Sequence, residues 1–116
     1  MKYENVKHYD GKTKAITLVT GVKDYEKKEV EVKKYQHPFF TKGLFIKRAI
    51  ELGAEFEENG QVIPSDLFSR LTKFIAELYN NQFTEEELIN GINSDRIIET
   101  YILILFGVLQ GEQKND

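Results

Sequence analysis

The sequence contains no cysteine, which excludes disulfides, thiolate metal sites and cysteine nucleophiles together and fits an intracellular protein. It has no long apolar run either. The longest, ILILF at 102–106, falls far short of the roughly 20 residues that a membrane-spanning helix needs. No basic leader followed by an apolar core opens the chain, so the expectation is an untargeted, cytosolic protein. Histidine is scarce: His8 and His37 stand alone, without companions at the spacing of metal ligands. GxSxG, HExxH, a Walker loop and GxGxxG are all missing; Gly43 is isolated, and Gly107 and Gly111 bracket helix-end sequence. These absences predict a protein that is not an enzyme and that needs no cofactor or metal.

What is present describes an ordinary globular chain. The 116 residues are 41% hydrophobic and 30% charged, enough for one domain over 1–116 with a sizeable core. The net charge of -3 hides a polarity. Residues 1–48 carry 12 Lys/Arg against 6 Asp/Glu, whereas residues 49–116 carry 4 against 13. Such a distribution can orient the molecule toward a charged partner or drive head-to-tail self-contact, and it is equally compatible with solvated surface charge.

Patterning predicts an α+β fold: a small N-terminal antiparallel β-hairpin or meander, then a compact bundle of about four helices. Residues 1–40 read as mainly β, 41–109 as helical and 110–116 as a polar tail. Tyr3–Tyr9 and Lys14–Thr20 flank Asp10-Gly11, a tight-turn dipeptide, which suggests a first hairpin. Gly21–Lys28 reads as a long polar turn before a strand at Glu29–Tyr35, where Val30 and Val32 alternate with charge. Pro38 closes the β region. Thr41 is the candidate cap of a first helix with its apolar stripe at Phe45, Ala49, Leu52 and Phe56, ending at Asn59-Gly60. Ser65 is the candidate cap of a second helix, whose Leu67, Phe68, Leu71, Phe74, Ile75, Leu78 and Tyr79 give the strongest helical period in the chain.

The clearest local signal follows. Thr84 and Glu87 make a capping box, Phe83 and Leu88 a hydrophobic staple, and Glu85 and Glu86 favour the positive end of the helix dipole. Gly91 is placed to end this short helix in a left-handed conformation. Capping accounts for the acidic cluster, and successive helix positions cannot converge on one ion. A last helix, from Asn93 or Ser94 to about Leu109, is apolar on more than one face and is therefore either central or part of an interface.

Two binding readings remain open. Lys33, Lys34, Lys42, Lys47 and Arg48 lie near Tyr35, Phe39 and Phe40, as in a small nucleic-acid-binding regulator using the basic N-terminal half. The acidic balance of the whole chain and an almost wholly apolar or acidic helix after Arg96 weigh against that reading. Protein binding is favoured, with Ile98, Ile102, Leu105, Phe106 and Leu109 as the hydrophobic surface and Lys34, Lys47 and Arg48 as steering charges. Phe83, Thr84, Glu87, Leu88 and Gly91 are then architectural.

The stretch FIAELYNNQFTEEELINGINSDRIIETYILIL resembles the carboxy-terminal half of tail assembly chaperones from long-tailed phages of Gram-positive bacteria. In that family a helix leads into an NNQFT-type turn, an acidic helix ending near glycine, and a last apolar helix. KEVEVKKYQHPFFTKGLFIKRAIELGAEFEE is similar to the preceding part, so the resemblance covers residues 29–109; Ile92 stands where Leu is more usual. The resemblance implies a non-catalytic protein of the bacterial host cytoplasm, absent from the mature virion. It implies binding to the tape measure protein, which is kept soluble while the tail tube protein assembles around it. It further implies contact with tail tube protein through a frameshift-extended form, and weak homo-oligomerisation along a long client.

Overall fold

A computed structural model describes residues 1–60 and 62–110. The predicted tail falls outside them except for Gln110, which ends the last helix. Two strands, β1 (Ile16–Asp24) and β2 (Glu29–Tyr35), form an antiparallel hairpin, and four helices follow: α1 (Leu44–Asn59), α2 (Ser65–Leu78), α3 (Glu85–Asn90) and α4 (Ile97–Gln110). The fold is α+β, as the patterning predicts.

The hairpin is displaced from its expected place. Tyr3–Asn5 is a single 3₁₀ turn, and the expected first strand survives only as the bridge between Tyr9 and Ile16. Asp10 still turns the chain, its carboxylate accepting the Lys12 amide at 2.9 Å. β1 runs through Gly21 because irregularities between Val19 and Gly21, and between Val22 and Asp24, absorb extra residues without ending the ladder. The long turn expected at 21–28 thereby shrinks to Tyr25–Lys28, with Lys28 at φ 57. Residues at the amino terminus cover the start of β2: the Val30 amide donates to Met1 O and the Tyr3 amide to Lys28 O, both at 2.8 Å.

Ile16, Leu18 and Tyr35 present one sheet face to a core completed by Ala49 and Leu52 of α1, Leu71, Phe74 and Ile75 of α2, Leu88 of α3, and Tyr101 and Ile104 of α4. Neither expected cap on the first two helices forms. Gly43 precedes α1 without a side-chain cap, leaving Thr41 outside, and Pro64 occupies the cap position of α2, so Ser65 is its first helical residue. Asp66 instead pairs with Arg70, 2.9 Å away. Arg70 also reaches Glu55 at 2.6 Å and ties α2 to α1. A buried hydrogen bond of 2.7 Å between Thr72 and Tyr101, beside the stacked rings of Phe68 and Tyr101, joins α2 to α4. Burial pushes the Tyr101 hydroxyl up to about 12, so it remains protonated.

The segment from Asn80 to Gly91 makes the sharpest change of direction. Asn80 and Asn81 are both left-handed, at φ 59 and 55, and stop α2. The capping box forms as the sequence predicts: Glu87 N–H donates to Thr84 Oγ1 at 3.0 Å and Thr84 N–H to Glu87 Oε1 at 2.8 Å. Phe83 and Leu88 are buried on either side of the cap. Gly91 differs from expectation, with φ -93 and ψ 1, well outside the left-handed region. Its absent side chain serves packing: an added Cβ would lie 2.8 Å from Leu18 Cβ and 2.8 Å from Glu87 O. That closeness lets the Val19 amide donate to Gly91 O at 2.9 Å, seating α3 on β1.

Candidate protein-binding surface

The candidate surface is set by how α4 is packed. Ile97, Thr100, Tyr101, Ile104 and Leu105 face inward and are buried. Leu103 and Phe106 remain 48% and 46% exposed, on the opposite side. At the helical period they align with Glu99 and Gln110, so the outer stripe carries two large apolar residues between polar ends. A helix apolar all round thus divides into a core face and an open face.

Of the residues expected to bind, Phe106 lies on this open stripe and Ile102 is half-buried beside it. Ile98 and Leu109 pack partly against the core, and Leu105, at 3% exposure, belongs to it. Leu103 replaces Leu105 as the outward leucine. Which leucine points out depends on where α1 lies against α4, information absent from an all-apolar segment.

α1 contributes the second half of the surface, which sequence reasoning missed. Gly53 faces α4: a Cβ there would be in ordinary contact, 3.7 Å from Leu109 Cδ1 and 3.9 Å from Leu105 Cδ2. One and two turns earlier, Ile50 and Ile46 are 57% and 40% exposed, and Leu44 is 57% exposed. Helical geometry therefore places Ile46 and Ile50 on α1, and Ile102 and Phe106 on α4, along the borders of one seam. Exposed Phe39 and Phe40 precede α1, their ring centroids 6.5 Å apart. The missed signal was the spacing of Leu44, Ile46 and Ile50 off the buried stripe of Phe45, Ala49 and Leu52.

The expected steering charges separate in space. Arg48 turns toward α2, where it donates to Glu77 at 2.6 Å and lies 5.3 Å from the centroids of both Phe45 and Phe74. Lys47 pairs loosely with Glu51 at 3.9 Å, and Lys33 sits over the ring of the largely buried Tyr35. Lys34 is exposed on β2, opposite Thr17. No continuous basic and aromatic track of the kind that binds single-stranded nucleic acid arises from these residues.

A groove opens where the 10–14 loop and the 36–43 loop meet α1 and α4. Its volume is about 450 Å³, with Ile46, Leu78, Ile104 and Val108 among its apolar walls. Lys12, Lys14 and Lys42 also line it, and among the described residues no carboxylate does. Gly107 shapes one wall, since a Cβ there would meet the Tyr9 hydroxyl at 2.5 Å. Burial raises the pKa of Tyr9 and also of Tyr79, whose hydroxyl donates to the Lys14 carbonyl.

Among the described residues no His, Asp and Glu cluster suited to a metal occurs, and no helix is long and apolar enough to cross a membrane. His8 is buried, and its ring bonds to Thr17 O and to the Tyr3 hydroxyl. It holds the amino-terminal segment to the sheet. Comparison with curated proteins and with solved structures gives no match. A family model described as phage tail chaperone protein matches residues 12–116, nearly the whole chain and all six elements of the fold. The chain belongs to the phage tail chaperone protein family.

Proposed function

We propose that this chain binds the tape measure protein of a phage tail, keeps it soluble and promotes assembly of the tail tube protein around it, without catalysis. The observation that carries this reading is the apolar surface on either side of the α1–α4 seam, where Ile46, Ile50, Leu103 and Phe106 are exposed. A long helical client offers amphipathic stripes, and a stripe laid into such a seam removes apolar surface from water on both sides. Burying the exposed half of four such side chains contributes about 1 kcal/mol each, or about 4 kcal/mol before the cost of association. One copy then binds weakly. Weak self-association between copies on one client would strengthen binding, because each bound copy then raises the effective concentration of the next.

The work belongs in the host cytoplasm while tails are being built, and a chaperone that leaves its client as the tube closes is absent from the mature virion. Contact with tail tube protein would come through a frameshift-extended form. Co-expression with the tape measure protein tests the reading. The client should stay soluble and copurify with this chain, and Leu103→Ser with Phe106→Ser should abolish both effects while preserving the fold. A tape measure protein equally insoluble with and without the chain, with no complex recovered, would overturn it.

A further inference from the structure

We infer that the groove between the two loops and the α1–α4 pair is a second docking site, which takes an acidic amphipathic segment of the client. The inference deepens the proposed chaperone role and concerns a groove that meets the outer seam at Ile46 and is otherwise lined by different residues. Its lining is mixed: Ile46 and Val108 offer apolar surface beside the polar loops, while Ile104 behind them is buried. Lys12 comes from one loop and Lys42 from the other, and neither forms an ion pair among the described residues. Phe39, wholly exposed, also lines the groove and offers a face to an incoming apolar side chain.

This combination specifies its occupant. The exposed Ile46 and Phe39 and the part-exposed Val108 favour a partner with Leu, Ile or Phe side chains, and lysines from two separate loops, with no lining carboxylate among the described residues, favour acidic residues within a turn of those anchors. A nucleic acid would bring many phosphates to few cations and would leave the aliphatic walls unused. A segment with basic flanks would meet like charge on both loops. The groove therefore discriminates by charge, whereas the outer seam, with mixed-sign flanks, holds by apolar contact.

A fluorescein-labelled amphipathic peptide of about five helical turns, with Leu and Phe on one stripe and Glu beside it, serves as the probe. It is compared, by anisotropy, with its counterpart carrying Lys in place of Glu and with a single-stranded DNA oligonucleotide. The Glu peptide should bind at least about tenfold tighter than either, and the preference should shrink as salt rises from about 0.05 to about 0.5 M. K12E with K42E should invert the preference between the peptides, and K12Q with K42Q should abolish it, with circular dichroism and melting unchanged. Equal affinity for the two peptides, an unaltered preference in the variants, or tighter binding of DNA would overturn the inference. Client copurification separates it from the broader role. If the tape measure protein copurifies with K12E/K42E as with the parent and the peptides are not discriminated, the groove fails and the chaperone reading stands. If it never copurifies but the charge preference holds, the reverse is true.

Discussion

Replacing Gly91 with alanine probes the way α3 is seated on the sheet. The backbone there, φ -93 and ψ 1, is open to alanine, so backbone conformation imposes no penalty. The cost comes from neighbours. A Cβ would lie 2.8 Å from Leu18 Cβ, 2.8 Å from Glu87 O and 3.2 Å from Val19 O. Carbon atoms prefer a separation of about 3.5–4.0 Å, so the Leu18 contact is short by roughly 1 Å. None of these atoms moves by a rotamer change. Relief requires α3 to lift from β1 and to stretch the 2.9 Å bond between Val19 and Gly91. Overpacking costs about 1–3 kcal/mol and the weakened hydrogen bond about 1, against a gain of about 0.4–1 from the stiffer unfolded chain. The net loss is about 1–3.5 kcal/mol, equivalent to a fall in Tm of roughly 5–15 °C for a domain of this size. Urea unfolding at unchanged m-value measures it. Gly11→Ala, whose Cβ would meet nothing within 4 Å, is the control and should stay within about 0.5 kcal/mol of the parent. If Gly91→Ala is as stable as Gly11→Ala, the close approach of α3 to β1 is wrong.

Thr84→Ala removes the acceptor of the Glu87 amide and should cost about 1 kcal/mol in the same assay, with client binding unchanged; parental stability would mean that Thr84 does not cap α3. Arg48→Ala breaks the 2.6 Å contact with Glu77 and two ring contacts, for a loss of about 2 kcal/mol, whereas Lys47→Ala, from an exposed pair 3.9 Å apart, should change stability by less than about 0.5 kcal/mol. Equal effects of the two would refute the division between an architectural arginine and a solvated lysine. His8 is predicted to make stability fall with acid. Because a carbonyl only accepts, Nδ1 donates to Thr17 O at 2.7 Å and Nε2 accepts from Tyr3 at 3.0 Å. Burial first, and Arg96 in addition, lower its pKa below 6.5, although the Thr17 bond opposes them. The neutral ring is therefore the folded form; its contribution is complete above about pH 6.5 and is lost as pH falls through the folded-state value. Urea unfolding between pH 7 and 5 should show this slope, and His8→Gln should flatten it.

Local chemistry was legible in the sequence where local chemistry decides the outcome. The capping box needs only Thr84 and Glu87 three residues apart, and the period of α2 needs only its own apolar positions. Gly91 was misread because its neighbour Leu18 lies on β1, far away in sequence, and only the assembled fold brings the two together. The first strand was misread for a related reason. Asp10-Gly11 does turn the chain, but the edge of β1 is shared between the His8 carbonyl and the Gly91 carbonyl, which accept from Thr17 and Val19 at 2.9 Å. With that edge divided, the segment Tyr3–Tyr9 bridges to β1 at Tyr9 alone. On the binding surface, Phe106 was legible as an apolar residue beyond what a small core can hold. Leu103, Ile46 and Ile50 were not, because the open side of a helix is defined by its neighbours.

The exposed seam also has a direction that its apolar residues alone could not give it. A helical client with a plain apolar stripe fits such a seam equally well in either orientation. The flanking charges remove that degeneracy. Lys42 and Lys47 stand at the start of α1, and Glu57 and Glu58 stand exposed at its end. A client with acidic turns toward the start of α1 and basic turns toward its end gains attraction at both ends, and the reversed client meets like charge at both. Each interaction is small and screened by salt, so one copy is only weakly oriented. Copies in series that also touch one another add these small preferences, and a shared direction then follows from the client's own charge pattern without any strong contact between copies.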